Sequence, residues 1–322
     1  MTNSIERILT SMLILALALF IDLAFGEPPD PIHPTVWMGR LISFLKSWAK
    51  GGSPKAEKAK GVLLGLATIT AFTIPTHIIL NVAWKVFGFW GYIVLAALTL
   101  KITFSLRGMS FYTMPIALAL KEGKVEEAKK WLPFIVRRNP KDLNPSQIIS
   151  AAVESIGEST VDGVASPLFY FAVFGVPGAV AFRTISTLDS MVGYRDREHI
   201  NIGWFSASLD TLANYIPARL TALLMILSAA ILGMDWRNSW RILKRDRDKT
   251  QSVNAGWPMA AMAGALRVQL EKPGFYKLGD DYNAKLTPIH IRQALKIMNI
   301  TTLLFAGLIV TPLNIVLAYL FS

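Results

Sequence analysis

Residues 8–25 read ILTSMLILALALFIDLAF, a run in which Asp22 is the single charged residue. A helix that crosses the hydrocarbon core of a bilayer needs about 20 predominantly apolar residues. A cleaved signal peptide can begin in the same way, but this run is too long for one. The GEPPDPIHP that follows is also a poor small-residue cleavage site. The stretch therefore predicts a first membrane-spanning helix.

Further apolar segments extend this interpretation along the chain, at residues 62–84, 87–106, 163–182, 216–234 and 297–321. Pro167 and Gly175-Val-Pro-Gly178 interrupt one of them, which is consistent with either one span or two half-helices. Apolar and basic residues at helical spacing over 36–48 are typical of an interfacial helix. We predict an all-α, polytopic integral membrane helical bundle. It has five to six spans, amphipathic helices and a candidate re-entrant helix, in a single domain over residues 1–322.

The composition excludes several classes of function. The 322 residues include no cysteine, which excludes thiolate metal sites, iron–sulfur clusters and cysteine nucleophiles. The four histidines are far apart in the sequence, so a histidine-built metal site is not expected. The sequence also lacks the P-loop, nucleophile-elbow, zinc-protease and dinucleotide-binding motifs. Any nucleotide must therefore be held without a P-loop.

The net charge of +11 is concentrated in three loops. Residues 27–60, 101–163 and 235–296 contain six, nine and twelve Lys and Arg residues. Since cytoplasmic loops collect basic residues, six spans with both termini outside place all three loops beside an anionic cytoplasmic leaflet. No basic patch is interleaved with aromatic residues, so nucleic acid is not an expected partner. This topology places residues 183–215 either on the outer side of the membrane or inside the helical bundle. If segment 163–182 is re-entrant, residues 183–215 are cytoplasmic instead.

Three carboxylates lie at positions i, i+4 and i+8 in AAVESIGESTVDGVASP, which begins at Ala151. Glu154, Glu158 and Asp162 therefore share one face of a helix. Like charges at this spacing repel each other, so the row needs a cation. The candidates are Mg²⁺ bound through carboxylate oxygens or basic residues of a neighbouring helix. A solvated acidic face is the alternative interpretation.

Charged residues also crowd into RTISTLDSMVGYRDREHINIGWFSASLDTLANYIPARLTA, residues 183–222. Ionisable groups beside or within a membrane are expensive and indicate a functional site. Because the planar guanidinium group matches phosphate and carboxylate, the arginines are candidates for holding an anionic substrate. The alternative is a set of structural ion pairs that lock the bundle. The candidates are Arg183, Asp189, Arg195, Asp210, Asn214 and Arg219.

Three further residues are candidates from their surroundings. Asp22 lies near the end of the first helix. His33 follows in a proline-rich turn, where it is either a general base or a surface histidine. Asn254 opens NAGWPMAAMAGAL, whose small residues allow close approach of another helix or of a planar ligand. These three complete the candidate site.

Five motifs in this order resemble the CobD/CbiB family of cobalamin-biosynthesis membrane proteins, the adenosylcobinamide-phosphate synthases. They occupy residues 22–42, 151–170, 187–194, 203–222 and 254–266, which covers most of the chain. The chain departs from the family pattern at single positions within otherwise intact motifs, namely Ser159, Ser186, Thr211 and Glu271-Lys272.

The resemblance implies ATP-dependent amide formation at a late step of the corrin pathway. The substrates are (R)-1-amino-2-propanol or its O-phosphate and the propionate f carboxylate of adenosylcobyric acid, and the product is adenosylcobinamide or its phosphate. The resemblance also implies ATP and Mg²⁺ as cofactors and a multi-pass location in the cell membrane. Other membrane enzymes of the corrin pathway are candidate partners.

We hypothesise a role for each candidate residue in this reaction. Activation of the carboxylate by phosphoryl transfer requires positioned metal and cationic groups. Glu154, Glu158 and Asp162 would bind Mg²⁺–ATP, and Arg183 and Arg195 would hold phosphate or propionate groups. Asp189 or Asp210 would take the ammonium proton, with His33 as a second base. The remaining substrate-binding candidates are Asp22, Asn214, Arg219 and Asn254.

Two other functions fit the same features. A transporter that uses intramembrane carboxylates is consistent with discontinuous helices. A non-catalytic membrane component similar to AmpE-type proteins would be expected to lack the acidic motif, which is intact here.

Overall fold

The computed structural model describes residues 4–194, 196–279 and 285–320, which are mostly helical, as predicted. These residues also include a short antiparallel hairpin that was not predicted, in which Leu270 pairs with Leu278. The elements are α1 (Ser4–Phe25), α2 (Pro34–Ala49), α3 (Pro54–Lys101), α4 (Arg107–Lys121), α5 (Val125–Trp131), α6 (Pro145–Thr160), α7 (Ser166–Val192), α8 (Trp204–Ala213), α9 (Tyr215–Ile231), α10 (Trp236–Asp246), α11 (Gly256–Leu266), β1 (Leu270–Lys272), β2 (Tyr276–Leu278), α12 (Pro288–Phe305) and α13 (Thr311–Leu320).

Four helical runs are long and apolar enough to cross a membrane, and they overlap the segments predicted from hydropathy. The bent pair α8–α9 makes a fifth if it is counted as one span. The structure is thus compatible with the predicted membrane bundle, while the count of six spans stays a prediction. The four runs are Ser4–Phe25, Pro54–Lys101, Pro145–Val192 and Pro288–Leu320.

Helix α3 consists of two helices joined at Gly88, whose φ of 64° and ψ of −162° are non-helical. This region of backbone space is essentially restricted to glycine. The rings of Trp84 and Tyr92 meet edge to face across the break, with centroids 5.3 Å apart. The predicted segments 62–84 and 87–106 therefore correspond largely to the two helices, and the break lies at the second residue of segment 87–106.

Helix α7 has the same kind of break at Gly175, with φ 70° and ψ −165°. Tyr170 and Phe182 stack on each other with centroids 5.3 Å apart. In a straight helix, positions twelve residues apart are separated by about 18 Å. The chain therefore folds back at Gly175, and the predicted interruption is present there. Pro167 lies in the first turn of α7 and does not end the helix.

The described residues form two compact units that alternate along the chain. The first unit contains Met1–Ser105, Ser166–Asn214 and Leu308–Ser322. In it, α1 packs against α3 and α13, and α7 packs against α2, α3 and α8. An apolar cluster supports these contacts, formed by Ile42, Ala49, Leu64, Leu188, Val192 and Ile202. The expectation of a single domain stays a prediction.

The second unit contains Leu106–Ala165 and Tyr215–Gly307. Helix α6 packs against α4, α11 and α12, and α11 packs against α10. A methyl group on Gly264 would lie 2.6 Å from the Cα atom of Ser239. The small residues of α11 thus permit close approach of α10, which is one of the two roles predicted for them.

Candidate functional site

Glu154 lies at the centre of a buried polar cluster in the second unit, with 2% of its surface exposed. Its Oε2 accepts hydrogen bonds from the guanidinium group of Arg138 and from Tyr276 Oη, the latter at 2.7 Å. Its Oε1 accepts from Ser150 Oγ at 2.7 Å. Ser150 Oγ also accepts the backbone N–H of Glu271 at 2.7 Å. Both carboxylate oxygens are therefore engaged, and they fasten the β-hairpin to α6.

Tyr276 serves this cluster as a protonated donor. Burial raises the pKa of its hydroxyl, and the negative charge of Glu154 raises it further. Arg138 supplies the cation that the acidic row requires at Glu154, and its Nη1 donates to the backbone oxygen of Glu271 at 3.0 Å. The cation predicted for the acidic row was either Mg²⁺ or a basic residue, and at Glu154 the structure shows a basic residue.

The three predicted metal ligands differ in their surroundings. Glu158 is exposed on α6, and Asp162 is half-buried in a π-helical turn, Val161–Ala165. No group of three His, Asp or Glu side chains suited to a metal ion occurs in the part of the chain that the structure describes. Because Glu154 is engaged elsewhere, the complete set of three does not fit Mg²⁺ here. Metal binding by the other two stays a prediction.

Asp22 and His33 belong to a second cluster, in the first unit. Asp22 is fully buried and its Oδ1 lies 3.4 Å from Lys101 Nζ. Lys101 Nζ lies 2.8 Å from Glu27 Oε2, which also accepts from His33 Nε2 at 3.0 Å. His33 Nδ1 accepts the backbone N–H of Thr35 and thereby caps α2. Both nitrogens of neutral His33 are thus engaged, and its role as a base stays a prediction.

Glu27 is ionised in this cluster. Burial disfavours its charge, but hydrogen bonds from His33, Lys101 and Ser105 outweigh that cost and lower its pKa to about 2. Two carboxylates and one lysine therefore converge where α1 ends and α3 ends. An ion-pair network of this kind orients the proline-rich turn that carries His33.

A third cluster, the second in the first unit, contains two predicted residues, Asp210 and Asn214. Asn214 is buried, and its Nδ2 donates to Asp210 Oδ2 at 3.1 Å. Ser166 Oγ donates to Asn214 Oδ1 at 2.5 Å. Tyr170 Oη donates to the backbone oxygen of Ala213 at 3.2 Å. The i, i+4 pair at the end of α8 is thus held against the start of α7.

The other predicted residues of this stretch lie apart from that cluster. Arg183 and Asp189 are half-buried along α7. Arg195 lies outside the described residues. The adjoining residues 196–204 contact the first turn of α3, since Asn201 Nδ2 donates to Glu57 Oε2 at 3.1 Å. The segment that follows α7 therefore lies beside the start of α3.

Arg219 and Asn254, both predicted as substrate-binding residues, are brought together in the second unit. Arg219 Nη1 donates to Asn254 Oδ1 at 3.0 Å and to the backbone oxygen of Tyr215 at 2.6 Å. Its guanidinium carbon lies 3.4 Å from the ring centroid of Tyr215 and 4.8 Å from that of Trp257. Arg247 also lies 4.8 Å from the Trp257 ring. Two cations therefore flank one indole ring, an arrangement suited to an anionic ligand.

Several residues that complete these clusters were not predicted from the sequence. Among them are Glu27, Lys101, Arg138, Trp257 and Tyr276. Lys101 carried a usable signal, because it is a basic residue within the apolar segment 87–106 and such a residue requires a partner. Arg138 and Tyr276 stand in a basic loop and a short hairpin, where no pattern marks them.

Long apolar helices that carry buried ionic clusters are the features expected of a helical membrane protein with internal polar sites. The chain belongs to the CobD/Cbib protein family, whose model matches residues 15–298. The resemblance stated from the motifs is thereby confirmed.

Individual relatives match over nearly the whole chain. A probable cobalamin biosynthesis protein CobD of Methanothermobacter thermautotrophicus is 40% identical over 292 residues, which are 91% of this chain and 94% of that protein. The cobalamin biosynthesis protein CobD of Dehalococcoides mccartyi is 39% identical over 288 residues, 89% of this chain and 92% of that protein. A probable CobD of Thermoplasma volcanium is 40% identical over 302 residues, covering 94% and 97% of the two chains. No solved structure matches the chain.

Proposed function

We propose that this protein acts in cobalamin biosynthesis as an adenosylcobinamide-phosphate synthase in the cell membrane. It would join (R)-1-amino-2-propanol, or its O-phosphate, to the propionate f carboxylate of adenosylcobyric acid. The observation that carries the proposal is the match over most of the chain to relatives named as cobalamin biosynthesis proteins. The arrangement of Arg219 and Asn254 beside Trp257 supports an anionic substrate.

The chemistry assigns a task to each cluster. A carboxylate near neutral pH does not acylate an amine until its oxygen becomes a leaving group, and Mg²⁺–ATP would supply the phosphoryl group and the charge neutralisation for that change. Glu158 and Asp162 are the carboxylates of the acidic row that remain candidates to hold it. Arg219 would hold an anionic group of the substrate. Asp210, oriented by Asn214, would take the ammonium proton.

The remaining assignments follow from the same reaction. Arg183, Arg195 and Asp189 stay candidates for contacts with phosphate, propionate or ammonium groups. Glu154 and Asp22, which are held in ion pairs, would position the hairpin and the proline-rich turn. Further membrane enzymes of the corrin pathway stay candidate partners that deliver or receive the corrinoid.

An amidation assay tests the proposal. Purified protein in nanodiscs would receive adenosylcobyric acid, aminopropanol phosphate and Mg²⁺, with and without ATP, and products would be identified by mass. We expect an amide product that requires ATP. Glu158→Ala and Asp162→Ala should each abolish it, whereas Glu126→Ala, which removes an 83%-exposed carboxylate, should not. Full activity of both site variants would refute their metal role.

A transporter is the second candidate function, and the breaks at Gly88 and Gly175 favour it, because transporters build sites at discontinuous helices. Corrinoid uptake into proteoliposomes discriminates between the two functions. Uptake without amide product would replace the proposed synthase by a transporter. Amide product without uptake would exclude the transporter.

A further inference from the structure

Helix α10 has two different faces, one packed and one exposed. The packed face contacts α11, through Asn238, Ser239, Ile242 and Leu243, all of which are buried. On the exposed face, Trp236 is 45% and Trp240 is 42% exposed. They lie four residues apart and therefore side by side on the helix. Large aromatic side chains that remain exposed in this way indicate a contact that the isolated chain does not satisfy.

Basic residues accompany both indole rings. Arg237 lies 5.3 Å from the ring centroid of Trp236, and Lys244 lies 5.4 Å from that of Trp240. Arg241 is exposed between them. At 100° per residue, Trp236, Trp240 and Lys244 form one row, and Arg237 and Arg241 form the adjacent row. The exposed surface is thus aromatic along one edge and cationic beside it.

The position of α10 in the chain places this surface near the end of an apolar helix. Helix α9 ends at Ile231, which is 57% exposed, and Asp235 begins α10 by accepting the N–H of Asn238. The four residues from Leu232 to Asp235 join the two helices. Trp236 therefore lies within a few residues of the end of the bent pair α8–α9, which is apolar and long enough to cross a membrane if it is counted as one span.

We propose that the exposed face of α10 binds the headgroups of anionic phospholipids at the membrane surface. Tryptophan is enriched at the level of the headgroups, and each Lys or Arg near an anionic leaflet is attracted to it. A helix with a basic polar face and an aromatic edge lies in the interface plane. The positive surface of α10 complements the charge of an anionic leaflet. Because α10 follows the apolar α9 after four residues, this surface is expected at the membrane–water interface.

Three acidic residues in the described part of the chain lie at or near α10, and each has a basic partner away from Arg237 and Lys244. Asp246 is buried and accepts from Arg245 and Lys249, at the end of the helix away from Trp236. Asp235 pairs with Arg267 at 3.2 Å, and Asp248 lies beyond the helix next to Arg247. Arg237 and Lys244 thus present positive charge on the exposed face, beside Trp236 and Trp240.

Lipid titration tests the proposal on the full chain. Detergent-solubilised protein would be titrated with phosphatidylglycerol or phosphatidylcholine, and bound lipid counted by native mass spectrometry. The variant Arg237→Gln/Arg241→Gln/Lys244→Gln removes three exposed charges, and Lys121→Gln/Lys130→Gln/Lys141→Gln removes three exposed charges elsewhere in the same unit. We expect phosphatidylglycerol affinity to fall about fivefold per α10 residue, the equivalent of ~1 kcal/mol each. Phosphatidylcholine binding and the control variant should be unchanged.

The depth of residue 240 in the bilayer distinguishes lipid binding by α10 from binding of a second copy of the chain. Because the chain contains no cysteine, a spin label on Trp240→Cys is unique, and Lys124→Cys provides a solvent-exposed reference. In nanodiscs containing phosphatidylglycerol, the label at 240 should be protected from a water-soluble relaxation agent. Equal accessibility at both positions would overturn the proposal. So would a dimer mass that disappears in Trp240→Ala, since it would assign the surface to a second copy.

Discussion

Gly88 and Gly175 adopt nearly the same backbone conformation, with φ, ψ of 64°, −162° and 70°, −165°. Each is the third residue of Val-Phe-Gly-x-x-Gly, at 86–91 and 173–178. The helices that carry them, α3 and α7, pack against each other in the first unit. The same short motif thus breaks two apolar helices, and the backbone at its glycine is one that other residues adopt only under strain.

Gly175→Ala is therefore expected to destabilise the protein by about 1–3 kcal/mol, the cost of placing a Cβ atom in this region. The measurement is the midpoint of thermal unfolding in detergent. Gly307→Ala is the matched control, because a methyl group there meets nothing within 4 Å and φ is not positive. An equal midpoint for both variants would show that α7 does not depend on this break.

Lys101→Met should be strongly destabilising, because it leaves the buried Asp22 and the neighbouring Glu27 without their cation. Removing one partner of a buried ion pair costs about 3–5 kcal/mol. Asp22→Asn/Lys101→Met should regain part of that loss, since no buried charge at Asp22 then remains unpaired. Unfolding midpoints of the two single variants and the double variant give the coupling. Additive losses would contradict direct pairing.

Tyr276→Phe should cost about 1.5–3 kcal/mol, the value of a hydrogen bond to a charged acceptor. It removes the 2.7 Å bond to Glu154 and keeps the ring. Glu154→Gln should cost more, because it leaves Arg138 without a carboxylate. Thermal unfolding checks both variants. If Glu154→Gln instead keeps wild-type stability and weakens only the Mg²⁺ dependence of amidation, Glu154 is a metal ligand and not a structural anion.

Asp246 makes stability depend on pH. Burial disfavours its charge, but hydrogen bonds from Arg245, the Gly279 backbone and Lys249 prevail and lower its pKa from 3.8 to about 2. The ionised group therefore stabilises the fold above its unfolded pKa, and this stability is lost as pH falls from about 4 towards 2. The shift corresponds to about 2 kcal/mol.

The measurement is the unfolding midpoint in detergent between neutral pH and pH about 3, across the window that the two pKa values define. Asp246→Asn should be less stable at neutral pH and should flatten the acid limb of the curve. Asp248→Asn is the control, since the side chain of Asp248 is 82% exposed. An acid limb unchanged in Asp246→Asn would assign the pH dependence to other groups.

The helical fold was predictable because a run of about 20 apolar residues is long enough to span the hydrocarbon core of a bilayer as a helix. The break at Gly175 was predicted since two glycines and a proline interrupt the run there. Gly88 was missed as a break because it was included in the predicted segment 87–106, which reads as an ordinary span. Close approach of another helix was one of the two roles predicted for the small residues of α11, and the structure places α10 there.

The candidate site was predictable only as a set of residue types. Spacing put Glu154 and Glu158 on one face of α6, but each step of four residues rotates by about 40° beyond a full turn. That rotation leaves one carboxylate buried and the next exposed. Partners such as Lys101 for Asp22, or Tyr276 for Glu154, lie far away in sequence, and no local pattern connects them.

Arg219→Lys tests whether the predicted pair of Arg219 and Asn254 contributes to function. Lysine keeps the charge but loses the planar group that lies over the Tyr215 and Trp257 rings and bonds Asn254. We expect kcat/KM for amidation to fall roughly 10–100-fold, because a displaced binding group costs about that much in rate. Steady-state kinetics with varied aminopropanol phosphate provide the measurement.

Asn254→Ala should produce a similar loss by releasing the same guanidinium group, and Arg219→Lys/Asn254→Ala should lose little more than either single variant. Non-additivity of this kind is expected when two residues act through one geometry. Arg292→Lys is a matched control, because Arg292 belongs to α12 and to none of the clusters described above. If the two losses instead multiply, Asn254 contacts substrate independently and does not merely orient Arg219.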